Sequence, residues 1–276
     1  MKLGICSRPD RPVAIGAART AAAWLRREGH EAREVTLDSA TLARDLAGAE
    51  VVCVFGGDGT MLRAARTIAP LGLPLLGVNL GRLGFLTGTS VDEFGGTAAE
   101  VLGGRYTCED RTLLEAHVTR AGEPLYDVRA LNDLVVARGA QVRAIHVDVR
   151  IDGDPFTVYW ADGLIVATAT GSTAYAFSVG GPLILPTARD IVVVPIAPHL
   201  SFGNAVVLDP DQRLELELQD EPARLSVDGQ EEHDLRTGDH VEIRRSELVA
   251  RFVRTSTMRP FLRLLRQKIL KEGEQT

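Results

Sequence analysis

Along the first hundred residues, short apolar runs alternate with segments whose apolar positions recur at helical spacing. "KLGIC" (2–6) reads as a short strand, and residues 13–28 ("VAIGAARTAAAWLRRE") place small apolar residues on one helical face before Gly29 stops them. "EAREVTL" reads as a strand, 39–47 as a short helix, and "VVCVF" (51–55) as the near-continuous apolar run of a central parallel strand. The pattern then predicts a helix from Thr60 to Ala69 that stops before Pro70, a strand in "LPLLGVN", and a helix over 91–102. Strand and helix alternating in this way imply a parallel sheet with helices on both faces.

After about residue 105 the period changes. "TLLEAHVTR", "LYDVRALNDLVVAR", "VRAIHVDVRIDG", "PFTVYWADGLIVAT", "AVVLD", "RLELELQD", "RLSVDG" and "HVEIRR" alternate apolar with polar, with turns such as "DGDP" and "VDGQ" between some of them. This predicts an α/β domain over 1–105, a mostly antiparallel β-rich domain over 106–255, and a C-terminal helical tail over 256–276. In the tail Phe261, Leu264, Leu265 and Ile269 form one apolar face suited to docking.

Composition narrows the function classes. With 276 residues and 45% hydrophobic content the chain can bury substantial cores, and a net charge of −6 argues against a protein built to coat nucleic acid or an anionic membrane. Cys6, Cys53 and Cys108 are scattered and odd in number, so neither a disulfide framework nor a zinc site is expected. "MKLGICSRPDRP" has no apolar leader, and charge, Gly or Pro interrupts every apolar run short of membrane length, so the cytoplasm is the expected location. The only lysines are Lys2, Lys268 and Lys271, which removes the Walker A loop and the protein-kinase strand as ways of handling phosphate.

Chemistry concentrates in two stretches. In "VFGGDGTMLRAA" (54–65) a strand runs through Gly56 and Gly57 to Asp58, then Gly59, Thr60 and a helix. Bare glycine backbone at a helix N-terminus can cradle phosphate without lysine, and Thr60 can cap or donate. A carboxylate there is unfavourable beside phosphate unless it holds a metal or takes a proton from an attacking hydroxyl; the alternative is a helix cap. In "DGLIVATATGSTAYAFSVGGP" (162–182), Thr168, Thr170, Ser172, Thr173 and Ser178 surround Tyr175. That density of hydroxyls beside an aromatic ring suits a nucleoside; the alternative is a small-residue turn at a sheet edge.

Together with "GRLGFLT" (81–87), "LND" (131–133) and "SVDGQ" (226–230), these stretches resemble the NAD kinase family in order and approximate spacing, over most of the chain. The glycine-rich motif alone is shared with lipid kinases and phosphofructokinases; five motifs in order are specific. The resemblance implies a Rossmann-like N-terminal domain, a β-rich second domain with the dinucleotide held between them, and transfer of the γ-phosphoryl of ATP to the adenosine 2′-hydroxyl of NAD, giving NADP. Inorganic polyphosphate is an alternative donor within the family.

By that resemblance Asp58 is the proton acceptor and Gly59 lies against the dinucleotide. Asn132 and Asp133 match the Asn-acid pair that contacts it, with aspartate one methylene shorter than the commoner glutamate. Asp162 and the run Thr173, Ala174, Tyr175, Ala176, Phe177, Ser178 match the adenosine-recognition segment. Gln230 falls where a glutamine meets the ligand, Ala197 where a backbone contact is made, and Arg63 and Arg143 where basic residues are common; each arginine could equally be a solvated surface charge. After "PIAPH" the family's Leu-Ser-x-Arg-Pro pattern is absent, the chain reading "LSFGNAVVL". The expected partners are NAD and ATP, with Mg²⁺ carried by the ATP phosphates rather than by a ligand cluster, and a homodimer or homotetramer whose adenosine segment lies near a neighbouring subunit. Lipid-kinase and hydrolase readings are weaker, since no apolar surface helix is present and "AFSVG" lacks the first glycine of G-x-S-x-G. A dinucleotide sensor would have no use for Asp58.

Overall fold

The computed structural model describes residues 1–37, 39–81, 84–139 and 143–273, with side chains as far as Gln267. The chain divides into two compact units, Met1–Asp110 with Ala250–Thr276, and Arg111–Val249.

The first unit runs β1 (Lys2–Ser7), α1 (Pro12–Arg27), β2 (Glu31–Thr36), α2 (Leu42–Asp45), β3 (Val51–Phe55), α3 (Asp58–Ile68), β4 (Leu75–Asn79), β5 (Thr89–Ser90) and α4 (Phe94–Leu102). Its parallel sheet has the order β4-β3-β1-β2. Every residue of β3 and β4 is buried, which accounts for their unbroken apolar runs. Leu3, Ile5, Cys53, Phe55, Leu76 and Val78 form a core with Ala18, Ala22 and Leu25 of α1 and Phe94 and Val101 of α4. The helix expected from Thr60 begins two residues earlier, at Asp58, and Pro70 sits in a 3-10 turn, Ala69–Leu71, that follows it. The helix expected over 39–47 shortens to α2, and that over 91–102 begins at Phe94.

The second unit contains most of β6 (Thr107–Arg120), then β7 (Glu123–Ala130), β8 (Asp133–Arg138), β9 (Ile145–Ile151), β10 (Asp154–Ala161), β11 (Gly163–Thr168), α5 (Tyr175–Ser178), β12 (Ile191–Ile196), β13 (Val206–Leu208), β14 (Leu214–Leu218), β15 (Ala223–Val227), β16 (Glu231–Leu235) and the first part of β17 (Asp239–Arg254). One antiparallel sheet has the order β13-β12-β11-β8-β15-β16. A second antiparallel set runs β10-β9-β14-β17 and includes the β6-β7 hairpin. Leu134 and Val136 of β8 face the core shared by the two sheets, whereas Val135 faces a second cluster that includes Ala176 of α5. By the two-residue period of a strand, Asp133 lies on the α5 side.

The chain then returns to the first unit. Phe252 pairs in parallel beside Leu75, Val253 enters the first core, and α6 (Phe261–Gly273) follows. Phe261, Leu264 and Leu265 are partly buried, as expected of a docking face, while the side chain of Ile269 lies outside the described residues. Among the described residues no helix is long and apolar enough to cross a membrane.

Candidate functional site

In the first unit, β1 and β3 are neighbours from which the chain departs in opposite directions, to β2 on one side and β4 on the other. Open parallel sheets bind ligands at the carboxyl ends of such strands. A cleft of about 510 Å³ lies there, lined by Arg8, Arg11, Gly56, Gly57, Gly59 and Thr60 among others. Gly56 is obligatory in this turn, because a Cβ on it would stand 2.4 Å from Thr60 Oγ1. Gly57 faces open space, so its bare backbone is available to a ligand. Sequence reasoning passed over Arg8 and Arg11. Their signal was two arginines directly after the first strand, with Pro12 setting the start of the next helix.

Asp58 does not cap α3. The N-cap is Gly57, with no side-chain cap bond, and Asp58 is the first helical residue. Its carboxylate reaches forward in sequence instead: Oδ2 accepts the Phe85 N–H at 2.9 Å and Oδ1 the Leu86 N–H at 3.0 Å. Gly84 passes so close that a Cβ there would lie 1.9 Å from Asp58 Oδ1. The segment is fastened further by Thr87, whose Oγ1 accepts the Gly84 N–H at 3.0 Å and the Asn79 amide at 3.1 Å. The glycine and threonine of "GRLGFLT" thus serve Asp58, while Arg82 and Leu83 lie outside the described residues. A carboxylate offers about four lone-pair positions, and these two bonds use two of them.

Behind that segment stands the chain's return. Phe261 packs its ring on Phe85 with centroids 5.8 Å apart, and Met258 Sδ would lie 2.6 Å from a Cβ on Gly88. Gly59 is exposed and Arg63 half-buried on α3.

In the second unit the motifs "LND", "TATGST" and "SVDGQ" converge. Asp228 and Gly229 take φ of 51° and 63°, and the Gln230 N–H donates to Val227 O at 2.9 Å, giving the mirror-image tight turn favoured between β15 and β16. That turn buries the Asp228 carboxylate, which accepts N–H bonds from Leu131 at 3.1 Å, Asn132 at 2.7 Å and Asp133 at 3.1 Å. Thr168 donates its hydroxyl to Leu131 O at 2.6 Å and its N–H to Asn132 O at 2.9 Å. Gly171 is needed because a Cβ would fall 2.0 Å from Asn132 O. Burial, followed by the neighbouring Asp228 charge, pushes the Asp133 carboxyl up to about 7.

The segment around Tyr175 is anchored by one residue and exposes others. Ala176 is fully buried against Val135, Ile165 and Val192, while Tyr175 and Phe177 are 45% and 42% exposed. Thr173 and Ala174 are half-buried, and Ser178 and Gln230 are exposed. Ala197 stands on the surface with φ of 45°.

Asp162 is not brought to this cluster by its own chain. It precedes β11 and pairs with Arg138 at 3.2 Å, at the end of β8 opposite Asp133. Five steps of strand separate the two ends, roughly 17 Å. Arg143 also stays apart, exposed and ion-paired with Glu221 at 3.1 Å, which favours the surface-charge reading. Among the described residues no three His, Cys, Asp or Glu side chains group to hold a metal ion, and all three cysteines are unbridged.

Comparison with known proteins gives concordant results. The ATP-NAD kinase N-terminal domain matches residues 20–106 and the ATP-NAD kinase C-terminal domain residues 131–255. The NAD kinase of Thiobacillus denitrificans is 40% identical over 255 residues, covering 88% of each chain. That of Heliobacterium modesticaldum is 36% identical over 277 residues, 97% of this chain and 98% of its own. Among solved structures, yeast NADH kinase complexed with NADH superposes with a TM-score of 0.81 at 25% identity, covering 93% of this chain and 84% of that one. An NAD kinase from Archaeoglobus fulgidus in complex with ATP gives 0.73 at 28% identity, covering 93% and 94%.

Proposed function

This chain belongs to the NAD kinase family and phosphorylates NAD with ATP as donor, and we propose that Asp58 is the residue that takes the proton from the acceptor hydroxyl. The observation that carries this role is the pair of N–H bonds from Phe85 and Leu86, which fixes the carboxylate beside the glycine turn. A 2′-hydroxyl must lose its proton as the new phosphorus–oxygen bond forms, and a fixed carboxylate accepts it without reorganising.

Phosphoryl transfer asks little covalent chemistry of a protein, so positioning and charge compensation supply most of the acceleration. For the donor, the cleft at the ends of β1 and β3 supplies glycine backbone with the Arg11 guanidinium and that of Arg8, whose Nε and Nη2 are bonded to Asp10 at 2.9 and 2.8 Å. These groups suit a polyphosphate chain, and the divalent ion, Mg²⁺ by expectation, enters with the nucleotide as part of the substrate. By the family resemblance the acceptor falls to Gly59 of the first unit and, in the second, to Asn132 and Asp133, the exposed run from Thr173 through Tyr175 and Phe177 to Ser178, and Gln230 with the Ala197 backbone. Arg63 contributes charge from α3.

Location in the cytoplasm agrees with three unbridged thiols, of which Cys53 is pushed up to about 12 by burial and so kept protonated. A homo-oligomer is supported by the outward face of edge strand β10, where Phe156, Val158 and Trp160 are 40%, 47% and 39% exposed. It is also supported by Asp162, whose distance from Asn132 along its own chain leaves its adenosine role to be fulfilled at a second copy.

The experiment is NADP formation from NAD and Mg-ATP by the purified protein, read with an NADP-specific dehydrogenase, beside Asp58→Ala. Turnover that collapses by about 10²–10⁴ in the variant while NAD still binds is expected for a lost general base. Wild-type protein that binds NAD yet forms no product with ATP or polyphosphate overturns the reading.

A further inference from the structure

Every backbone polar group of the Leu131–Asp133 turn is bonded by one of two residues. Asp228 takes the three N–H groups on its carboxylate, and its own N–H donates to Asp133 O at 2.9 Å. Thr168 satisfies the other two carbonyls, with its hydroxyl on Leu131 O at 2.6 Å and its N–H on Asn132 O. Asp228 is 8% exposed and Thr168 wholly buried. A buried carboxylate is costly, and charge-assisted bonds to a turn of only three residues are an expensive way to satisfy backbone that water could serve.

We propose that Asp228 is a positioning residue for the acceptor: with Thr168 it sets the backbone from which Asn132 and Asp133 meet the dinucleotide. The proposal rests on the reading above that Asn132 and Asp133 contact NAD. Neither Asp228 nor Thr168 needs to touch the ligand to act.

The same arrangement couples the turn to pH. Of the strands hydrogen-bonded to β8, β11 carries no titratable side chain, and β15 carries only Arg224, which stands opposite Ala137 at the far end and is ion-paired to Glu232 at 2.6 Å. Beyond β11, the buried Arg111 guanidinium donates to Thr170 Oγ1 at 3.3 Å. On the α5 side the one titratable side chain of that helix, Tyr175, is exposed; among the described residues the charge that raises Asp133 is that of Asp228, and it opposes ionisation, as burial does. Asp228 holds the turn in place and also delays the loss of the Asp133 proton until near neutral pH.

The test measures KM for NAD, KM for ATP and kcat from about pH 5.5 to about 9, on either side of the raised Asp133 value of about 7, for the wild type, Asp228→Asn, Thr168→Val and Thr168→Ser. Loss of the frame is expected to raise KM for NAD by about tenfold in Asp228→Asn and Thr168→Val, with KM for ATP unmoved, and the serine variant should restore it. In Asp228→Asn the inflection of kcat/KM for NAD should also move down by about one pH unit, and Asp133→Asn should abolish it. A merely structural residue would not move that inflection. Should Asp228→Asn fail to fold, the Thr168 pair carries the test alone. Wild-type KM for NAD and an unmoved inflection in these variants, while Asn132→Ala does raise KM, overturns the proposal. NAD binding indifferent to Asn132→Ala and Asp133→Asn overturns the site reading beneath it.

Discussion

A glycine and two carboxylates carry most of the single-residue consequences. Gly84→Ala would press a methyl group to within 1.9 Å of Asp58 Oδ1, so either the carboxylate or its fastening segment must shift. The expected outcome is a fall in kcat of about 10²-fold with the fold intact by circular dichroism, since a displacement of about 1 Å at a reacting group costs that much. Asp133 behaves differently. Its carboxyl is raised from 3.8 to about 7, chiefly by burial. Between those values the native state keeps a proton that the unfolded chain has released, so stability falls as pH rises from about 4 to about 7 and stays lower above. Asp133→Asn should remove that slope and add on the order of 2 kcal/mol at pH 8, read as the urea midpoint against pH, even as acceptor binding weakens. The pentapeptide around Asp58 left two readings, a reacting acid or a helix cap, and the structure gives the cap position to Gly57. Asp228 was not legible as a partner of Asn132, because the two stand 96 positions apart in the chain.

At the level of elements, legibility followed burial pattern. Strands β3 and β4 announce themselves as apolar runs because both faces are covered, and β14 alternates because one face is not. The misses have local causes. Strand β12 ("IVVVPI") is a buried apolar run like β3 but carries Pro195, which counts against a strand, and β16 ("EEHDL") lies at a sheet edge with little apolar content. Runs read as single segments break where the site needs a corner, at Leu131–Asn132 and at Asp162. The cleft at the ends of β1 and β3 escaped notice because its arginines become neighbours of the glycine turn only when the two strands pair. The tail helix has a function beyond covering apolar surface: Phe261 supports Phe85, whose N–H holds Asp58. Phe261→Ala is expected to lower kcat several-fold, about 1 kcal/mol of lost aromatic contact, with KM for NAD nearly unchanged in steady-state assays.

For the whole molecule, association and chain order matter most. Replacing Trp160 by glutamate puts a charge on the outward face of β10, where the ring is 39% exposed and stacked on His146 at 5.5 Å. If that face seats a second copy, Trp160→Glu should yield monomers by light scattering and lose most NAD kinase activity; an unchanged mass would remove β10 as the interface. The division of the chain has a temporal meaning as well. The first unit needs Phe252 beside Leu75 and Val253 in its core, yet these follow all of Arg111–Val249 in the chain. On the ribosome, at about 5–20 residues per second, the carboxylate-bearing sheet must wait roughly ten to thirty seconds for its closing strand. Over that interval β4 has β5 beside Val78 and Asn79 but nothing yet beside Leu75, so the first unit is finished only after the second has been made.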